Sequence, residues 1–348
     1  MTGNADRLLR LLPALDPAAL ADDPRWLGAS WTGTDAVDAA TAALPLQRIA
    51  APLLAGAWPV EAWFGTGPAR GGVAHGVRYR CNADLLFGVV ELDEADFAAT
   101  PAASPLQQAG QRAYDSLFRL LADTGYTALW RVWNYIADIN GSGDDGLERY
   151  REFNIGRHLS FEAAGRLSGD TIPAACALGV AGGPLSVAFL AGRAPARAIE
   201  NPRQMAAYRY PADYGPRSPT FSRAALARLP GSDWLFVSGT ASIVGHQTVH
   251  VGDPVAQARE TVANLAAVLD EASRAADGGA PWRLDALTCR AYVRHPEHLP
   301  AVQAELRRAL GEAAQIAYIQ ADVCRADLLV EVEAQACRRR HEGEARRP

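Results

Sequence analysis

Hydrophobic period along this chain repeats one order of elements twice, and no other feature restricts its fold as tightly. In the first half, alternation of apolar and polar residues predicts strands over residues 60–65, 73–81 and 84–92. A helix over 105–123, an aromatic-rich strand at 128–136, a helix over 147–166 and strands at 172–180 and 185–190 follow. The second half offers strands at 234–238 and 248–251, a helix over 254–275, a strand at 284–293, a helix over 296–310 and a closing pair of strands between 315 and 336. Strands, helix, strand, helix, two strands, read twice, is the mark of a structural duplication whose copies have diverged. The expected fold is α+β: two tandem domains, each a mixed sheet with helices on one face, whose sheets meet to make a cleft. We place the domains at residues 1–200 and 201–348. Residues 1–50 form an elaboration on the first, and a proline-rich connection over 192–232 opens the second.

Composition narrows the chemistry. An apolar fraction of 49% and a charged fraction of 21% are those of a globular protein, and the net charge of −5 comes with no basic stripe that would track nucleic acid. Apolar runs stop short of a membrane span, and the N-terminus carries acids where a signal peptide would carry basic residues, so a cytoplasmic location is expected. The 5 cysteines form no C-x-x-C pair and are odd in number, which argues against a disulfide framework or a structural zinc site. Lysine is absent, and all 34 basic residues are arginine. Schiff-base chemistry and a P-loop lysine are thereby excluded, and anions must be held by guanidinium forks or histidine.

Residues 315–336 carry the sharpest chemical pattern. Tyr318, Gln320, Asp322 and Cys324 share one parity, and Glu331 and Glu333 later share a face opposite Val330 and Val332. With Arg325-Ala326-Asp327 as a tight connection, the two strands read as a hairpin bearing a thiol and a carboxylate. A carboxylate among apolar residues has its pKa raised by desolvation and suits a general acid. A solvated edge strand is the plain alternative. Elsewhere, helical spacing places Tyr150, Asn154 and Arg157 on one face, either to hold a carboxylate or to meet solvent. Tyr208, Tyr210 and Tyr214 accompany Arg209 and Arg217 in the proline-stiffened connection. The stretch from Ser238 to His246 turns tightly on small residues, Ala241 among them, but contains no G-x-S-x-G elbow. His246 and His250 lack an H-E-x-x-H helix, and no metal is expected.

Taken together, Trp133-Asn134-Tyr135, the run from Arg149 to Arg157, Tyr208-Arg209-Tyr210-Pro211, the run from Ser238 to His246, and Cys324 with the run from Leu329 to Ala334 resemble the chorismatase family. The resemblance spans about residues 55–336, and residues 1–50 add nothing to it. It implies domains similar to the small trimeric YjgF/Rid proteins, with the chain standing alone or assembling as a trimer. It implies removal of pyruvate from chorismate without a cofactor, with Glu331 protonating the methylene carbon of the enol ether. Chorismate carries two carboxylates, so Arg157, Arg151, Arg217 and Arg294 become candidates to hold them, with Tyr150, Tyr208 and Tyr214 as hydroxyl partners. Cys324, read by the same resemblance, favours an aromatic product, whereas Ala241 stands where some 3-hydroxybenzoate formers have glycine. The expected products are 3-hydroxybenzoate together with 4-hydroxybenzoate. The alternatives are hydrolysis to 3,4-dihydroxycyclohexa-1,5-diene carboxylate, or a Rid-like protein that binds metabolites or hydrolyses imines. Retention of both arginine-rich segments together with Glu331 separates the chorismatase readings from the last.

Overall fold

The computed structural model describes residues 8–34, 43–143, 146–167, 169–276 and 278–340. Among them lie two seven-stranded mixed sheets, one from each half. The first runs Asp322–Val323, Ala174–Val180, Ala128–Ala137, Leu185–Gly192, Leu85–Leu92, Val77–Cys81, Arg70–Ala74. The second runs Arg197–Ile199, Ala224–Leu229, Ser232–Ala241, Val330–Arg339, Thr288–Val293, Gln315–Gln320, Leu53–Ala55. Each holds one parallel pair bridged by a helix: Arg149–Ala163 links Ala128–Ala137 to Ala174–Val180, and Leu299–Leu310 links Thr288–Val293 to Gln315–Gln320. A parallel pair cannot close through a tight turn, so the crossover fixes a helix at each of these places.

The longer helices begin where their sequences cap them. Ser104 accepts from the Gln107 amide ahead of Pro105–Thr124, and Asp253 accepts from Val255 and Ala256 ahead of Pro254–Ala275. In both, proline fills the first turn, where a missing N–H costs nothing. Each sheet carries its two helices on one face over an apolar core, with Leu106, Leu117, Phe153 and Phe161 in the first half and Leu265, Val268, Val302 and Leu306 in the second. The remaining faces turn toward each other over Trp133, Trp234, Phe236 and Tyr292. The α+β duplication is thus present as the repeat predicts.

Five expectations need correction. The strand read at 73–81 is a hairpin of Arg70–Ala74 and Val77–Cys81, turned by His75 and Gly76 at positive φ, and the connection read over 192–232 carries two strands of the second sheet, Arg197–Ile199 and Ala224–Leu229. The strand read at 60–65 does not belong to the first large sheet: Val60–Phe64 sits in a separate four-stranded sheet with Leu9–Leu12, Trp26–Thr32 and Leu46–Ile49. It is buried on both faces. Val60, Ala62 and Phe64 pack into a core of their own, while Trp63 enters the inter-sheet layer, 5.6 Å from Trp234 and 6.2 Å from Trp133 between ring centroids. Nor is 315–336 a hairpin. Thr288–Val293 lies between its two strands, pairing parallel with Gln315–Gln320 and antiparallel with Val330–Arg339, while Asp322–Val323 crosses to the edge of the first sheet. The strand read at 248–251 reduces to Gln247–Thr248 paired with Ile243–Val244, because His250 turns the backbone into the left-handed region at φ 60°.

The halves also exchange edges. Leu53–Ala55 closes the second sheet and Asp322–Val323 closes the first. No helix among the described residues is long and apolar enough to cross a membrane.

Candidate active site

Val330–Arg339 is the central strand of the site. Its Val330, Val332 and Ala334 face the helix-side core, so Glu331, Glu333 and Gln335 point into the layer between the sheets, all three buried. Opposite it, the ladder from Ser232–Ala241 breaks: pairing shifts between Val237 and Thr240, leaving Ser238 and Gly239 out of register before Thr240 resumes opposite Val332 and Ala241 opposite Glu331. That bulge has a use. Ser238 Oγ donates to Ser222 O and accepts from the Ala175 amide at 2.9 Å, tying the two sheets together beside the acid. A Cβ at Gly239 would stand 2.0 Å from Glu331 Oε1, so only glycine leaves room for the carboxyl.

Here a cavity of about 330 Å³ opens between the halves. Glu331, Cys324, Ala241, Tyr150, Arg151 and Tyr214 line it, and Arg157 lines an annex of about 30 Å³ that shares Glu331, Cys324 and Tyr150 with the main cavity. The helix Arg149–Ala163 brings Tyr150, Arg151 and Arg157 inward. It can approach its neighbour because Gly156 has no side chain: a Cβ there would meet Gln107 O at 2.1 Å. Arg157 Nη2 donates to Asn154 Oδ1 at 2.7 Å, and its buried Nε has no hydrogen-bond partner among the described residues.

The other three predicted residues lie outside the lining. Tyr208 is half-buried with the Arg209 guanidinium 5.8 Å from its ring centroid, and Arg217 is exposed, its charge helping to depress the His158 pKa after the larger effect of burial. Arg294 is committed to the segment that carries Cys324. It donates to Leu328 O, Val323 O and Arg325 O at 2.8, 3.0 and 2.9 Å, and to Asn140 Oδ1 at 3.0 Å.

Two arginines that the sequence did not single out take their place in the wall. Arg325, read only as part of a turn, lies 4.2 Å from the Tyr214 ring centroid and donates through Nη1 to His246 O and Thr248 Oγ1. Its buried Nη2 has no hydrogen-bond partner among the described residues. Arg223 donates to Met205 O at 2.7 Å and Tyr210 OH at 2.8 Å, leaving a buried Nε without one. Both residues line the cavity, where guanidinium groups suit a ligand anion. Arg223 stands between Ser222 and Ala224 in no motif, so nothing local could have marked it.

Burial pushes the Glu331 carboxyl up to about 8, the Glu333 charge adding to the rise while Arg131 and Arg223 pull against it. At neutral pH the site therefore holds a carboxylic acid with its proton on. Burial, then Glu331, push the Cys324 thiol up to about 12, so it stays a thiol and acts as a small neutral surface. Burial, then Cys324, raise Tyr150 as well, which keeps its phenol a donor. Among the described residues, no three His, Cys, Asp or Glu side chains converge in a metal-binding set.

An acid held protonated in a half-closed cavity lined by Arg151, Arg223 and Arg325 is equipped for acid catalysis on a small anion. Known proteins agree with that class. The family model described as chorismatase FkbO/Hyg5-like, N-terminal, matches residues 61–191. A chorismatase of Streptomyces rapamycinicus is 40% identical over 279 residues, covering 78% of this chain and 80% of that protein. A 3-hydroxybenzoate synthase of Streptomyces hygroscopicus is 39% identical over 280 residues, with the same coverage of each chain. The crystal structure of a chorismatase superposes with a TM-score of 0.80 at 32% identity, over 94% of this chain and 97% of that one. The protein is an enzyme, and it belongs to the chorismatase family.

Proposed function

We propose that the enzyme removes pyruvate from chorismate and forms 3-hydroxybenzoate, with 4-hydroxybenzoate as an accompanying product. The observation that carries this reading is Glu331, a carboxyl kept protonated at neutral pH beside a cavity lined by the arginines Arg151, Arg223 and Arg325. Chorismate's two carboxylates would be met by Arg157 in the annex and by Arg151, Arg223 and Arg325 in the main cavity. Glu331 gives its proton to the terminal methylene carbon of the enolpyruvyl arm, forming a C–H bond and an oxocarbenium ion stabilised by the ether oxygen. For the aromatic product the neighbouring ring hydroxyl captures that cation and gives up its proton, closing a cyclic ketal. The ring C–O bond of that hydroxyl and the ketal bond to the former ether oxygen then break, so pyruvate leaves with the hydroxyl's oxygen while the ether oxygen stays on the ring as the 3-hydroxyl. Capture by water breaks only the ketal bond to the ether oxygen and gives the diol.

Atom balance separates the products. Chorismate is the sum of a hydroxybenzoate and pyruvate, so the aromatic route consumes no net water, and the ring proton lost on aromatisation balances the one given to the methylene. Hydrolysis to the dihydroxycyclohexadiene carboxylate consumes one water. A neutral thiol at Cys324, which supplies no base to activate water, supports the route that needs none. Cys81, Cys176, Cys289, Cys324 and Cys337 form no disulfide among the described residues, which supports a cytoplasmic site of action.

The test is to incubate the protein with chorismate, follow pyruvate and resolve the organic acids by chromatography. Pyruvate with 3-hydroxybenzoate is expected. Pyruvate with the non-aromatic diol would overturn the product assignment, and no pyruvate would overturn the substrate. Glu331→Gln keeps the shape and removes the acid. It is expected to cut kcat by about a thousandfold or more while chorismate still binds, as read by titration calorimetry.

A further inference from the structure

Behind the acid lies a line of charges that the reaction itself does not use. Glu333, two positions along the strand on the same face as Glu331, pairs with Arg131 of the first sheet and with Arg290 Nη1 at 3.2 Å. Arg290 Nη2 in turn meets Glu61 Oε2 at 2.8 Å. Glu61 comes from Val60–Phe64, so the line joins three sheets: the small N-terminal one, the second large one and the first. Tyr292 OH donates to Glu333 at 2.9 Å and lies 2.7 Å from Tyr135 OH. All four charged side chains are at most 2% exposed. Burial pushes the Glu61 carboxyl up, and the Arg290 guanidinium 2.8 Å away pulls against it in favour of the charged form. With that pair ionised, two carboxylates and two guanidiniums make a neutral set, and removing any member leaves an uncompensated buried charge.

We propose that the buried chain Glu61–Arg290–Glu333–Arg131 is a positioning device for the catalytic acid, through which the N-terminal four-stranded sheet sets the charge beside Glu331. The inference rests on Glu331 as the acid. Glu333 is held ionised by its two arginines and by Tyr292, and its negative charge opposes loss of the Glu331 proton. Glu61 limits how much of that charge Arg290 cancels. Other groups face Glu331 from every side: Arg131 and Cys176 from the first sheet, Arg223 from the connection, Tyr150 and Arg157 from the helix, and Cys324 from the crossing segment. On the adjacent strand, Tyr292 is its register partner. Arg131 and Arg223 oppose Glu333, so the balance depends on how completely Arg290 is occupied by Glu61.

Glu61→Gln keeps the shape and removes the far charge. The protonated-carboxyl infrared band of Glu331, assigned by its loss in Glu331→Gln, is followed against pH without substrate. Its midpoint is expected to fall by about one pH unit in Glu61→Gln, and the alkaline limb of kcat/KM should fall with it. Tyr292→Phe keeps all four charges and removes a donor that tempers Glu333, so its midpoint should rise. If Glu61→Gln does not fold, Tyr292→Phe carries the test alone. A structural role alone would lower Tm and leave both midpoints in place, and that result overturns the proposal, as does a fall in Tyr292→Phe. Midpoints that move in a protein releasing no pyruvate would sink the chorismatase reading and leave this one standing. Pyruvate release with fixed midpoints does the reverse.

Discussion

Glu331 enters its reaction as an acid because the protein makes ionisation expensive, and that sets a pH window. The carboxyl is pushed from 4.5 to about 8, by burial first and the Glu333 charge second. Only the protonated form can donate, so kcat/KM is expected to stay level through neutral pH and fall about tenfold per unit above pH 8. A rate that climbs through pH 8 would mean the carboxylate is the working form. Stability carries the same sign. A folded-state pKa above the unfolded one favours folding at low pH, and that contribution is lost as pH rises from 4.5 to about 8. Cys324 makes a separate prediction. As a neutral thiol it occupies space without supplying a nucleophile, and Cys324→Val is expected to shift the products from hydroxybenzoates toward the dihydrodiol. An unchanged ratio by chromatography would remove any directing role. Glu331 and Cys324 were legible because a polar residue in an apolar, alternating stretch stands out in one dimension. Arg223 was not, since its position in the wall comes from the path of the connection.

At the scale of elements, the segment between Gln315–Gln320 and Val330–Arg339 shows how local patterns mislead. Alternation fixes which side chains share a face, and it placed Glu331 and Glu333 together. It says nothing about which strand lies next door, and Thr288–Val293 lies between the two strands that read as a hairpin. Cys324 therefore approaches Glu331 through an ordered crossing segment, and Arg294 is what orders it. Arg294→Ala would leave the carbonyls of Val323, Arg325 and Leu328 without this donor. A loss of about 2–4 kcal/mol in stability is expected, read from the urea midpoint, together with a lower kcat at saturating chorismate. Full stability in that variant would show that other donors replace the guanidinium. The helices were more legible, because Ser104-Pro105 and Asp253-Pro254 announce a cap and a first turn within a few residues.

For the whole molecule, the duplication was visible as a repeated order of elements, and the exchange of edges was not. Strands of two or three residues, such as Leu53–Ala55 and Asp322–Val323, carry too little period to be read, and their pairing is set by distant partners. A split at residue 200 separates both exchanged strands from the sheets they complete. Segments 1–200 and 201–348, expressed apart, are each expected to lack a sharp thermal transition by circular dichroism. Mixing them should restore one; either segment melting cooperatively alone would show that its sheet does not need the borrowed edge.

The position of Asp322–Val323 also bears on how the chain is made. A ribosome delivers the other strands of the first sheet before residue 193, yet the last one, Asp322–Val323, follows only after the strands and helices of the second sheet up to Gln320. Throughout that interval Ala174–Val180 presents an open edge, able to pair with a neighbouring nascent chain. The cell must shelter that edge for the time it takes to translate the entire second half.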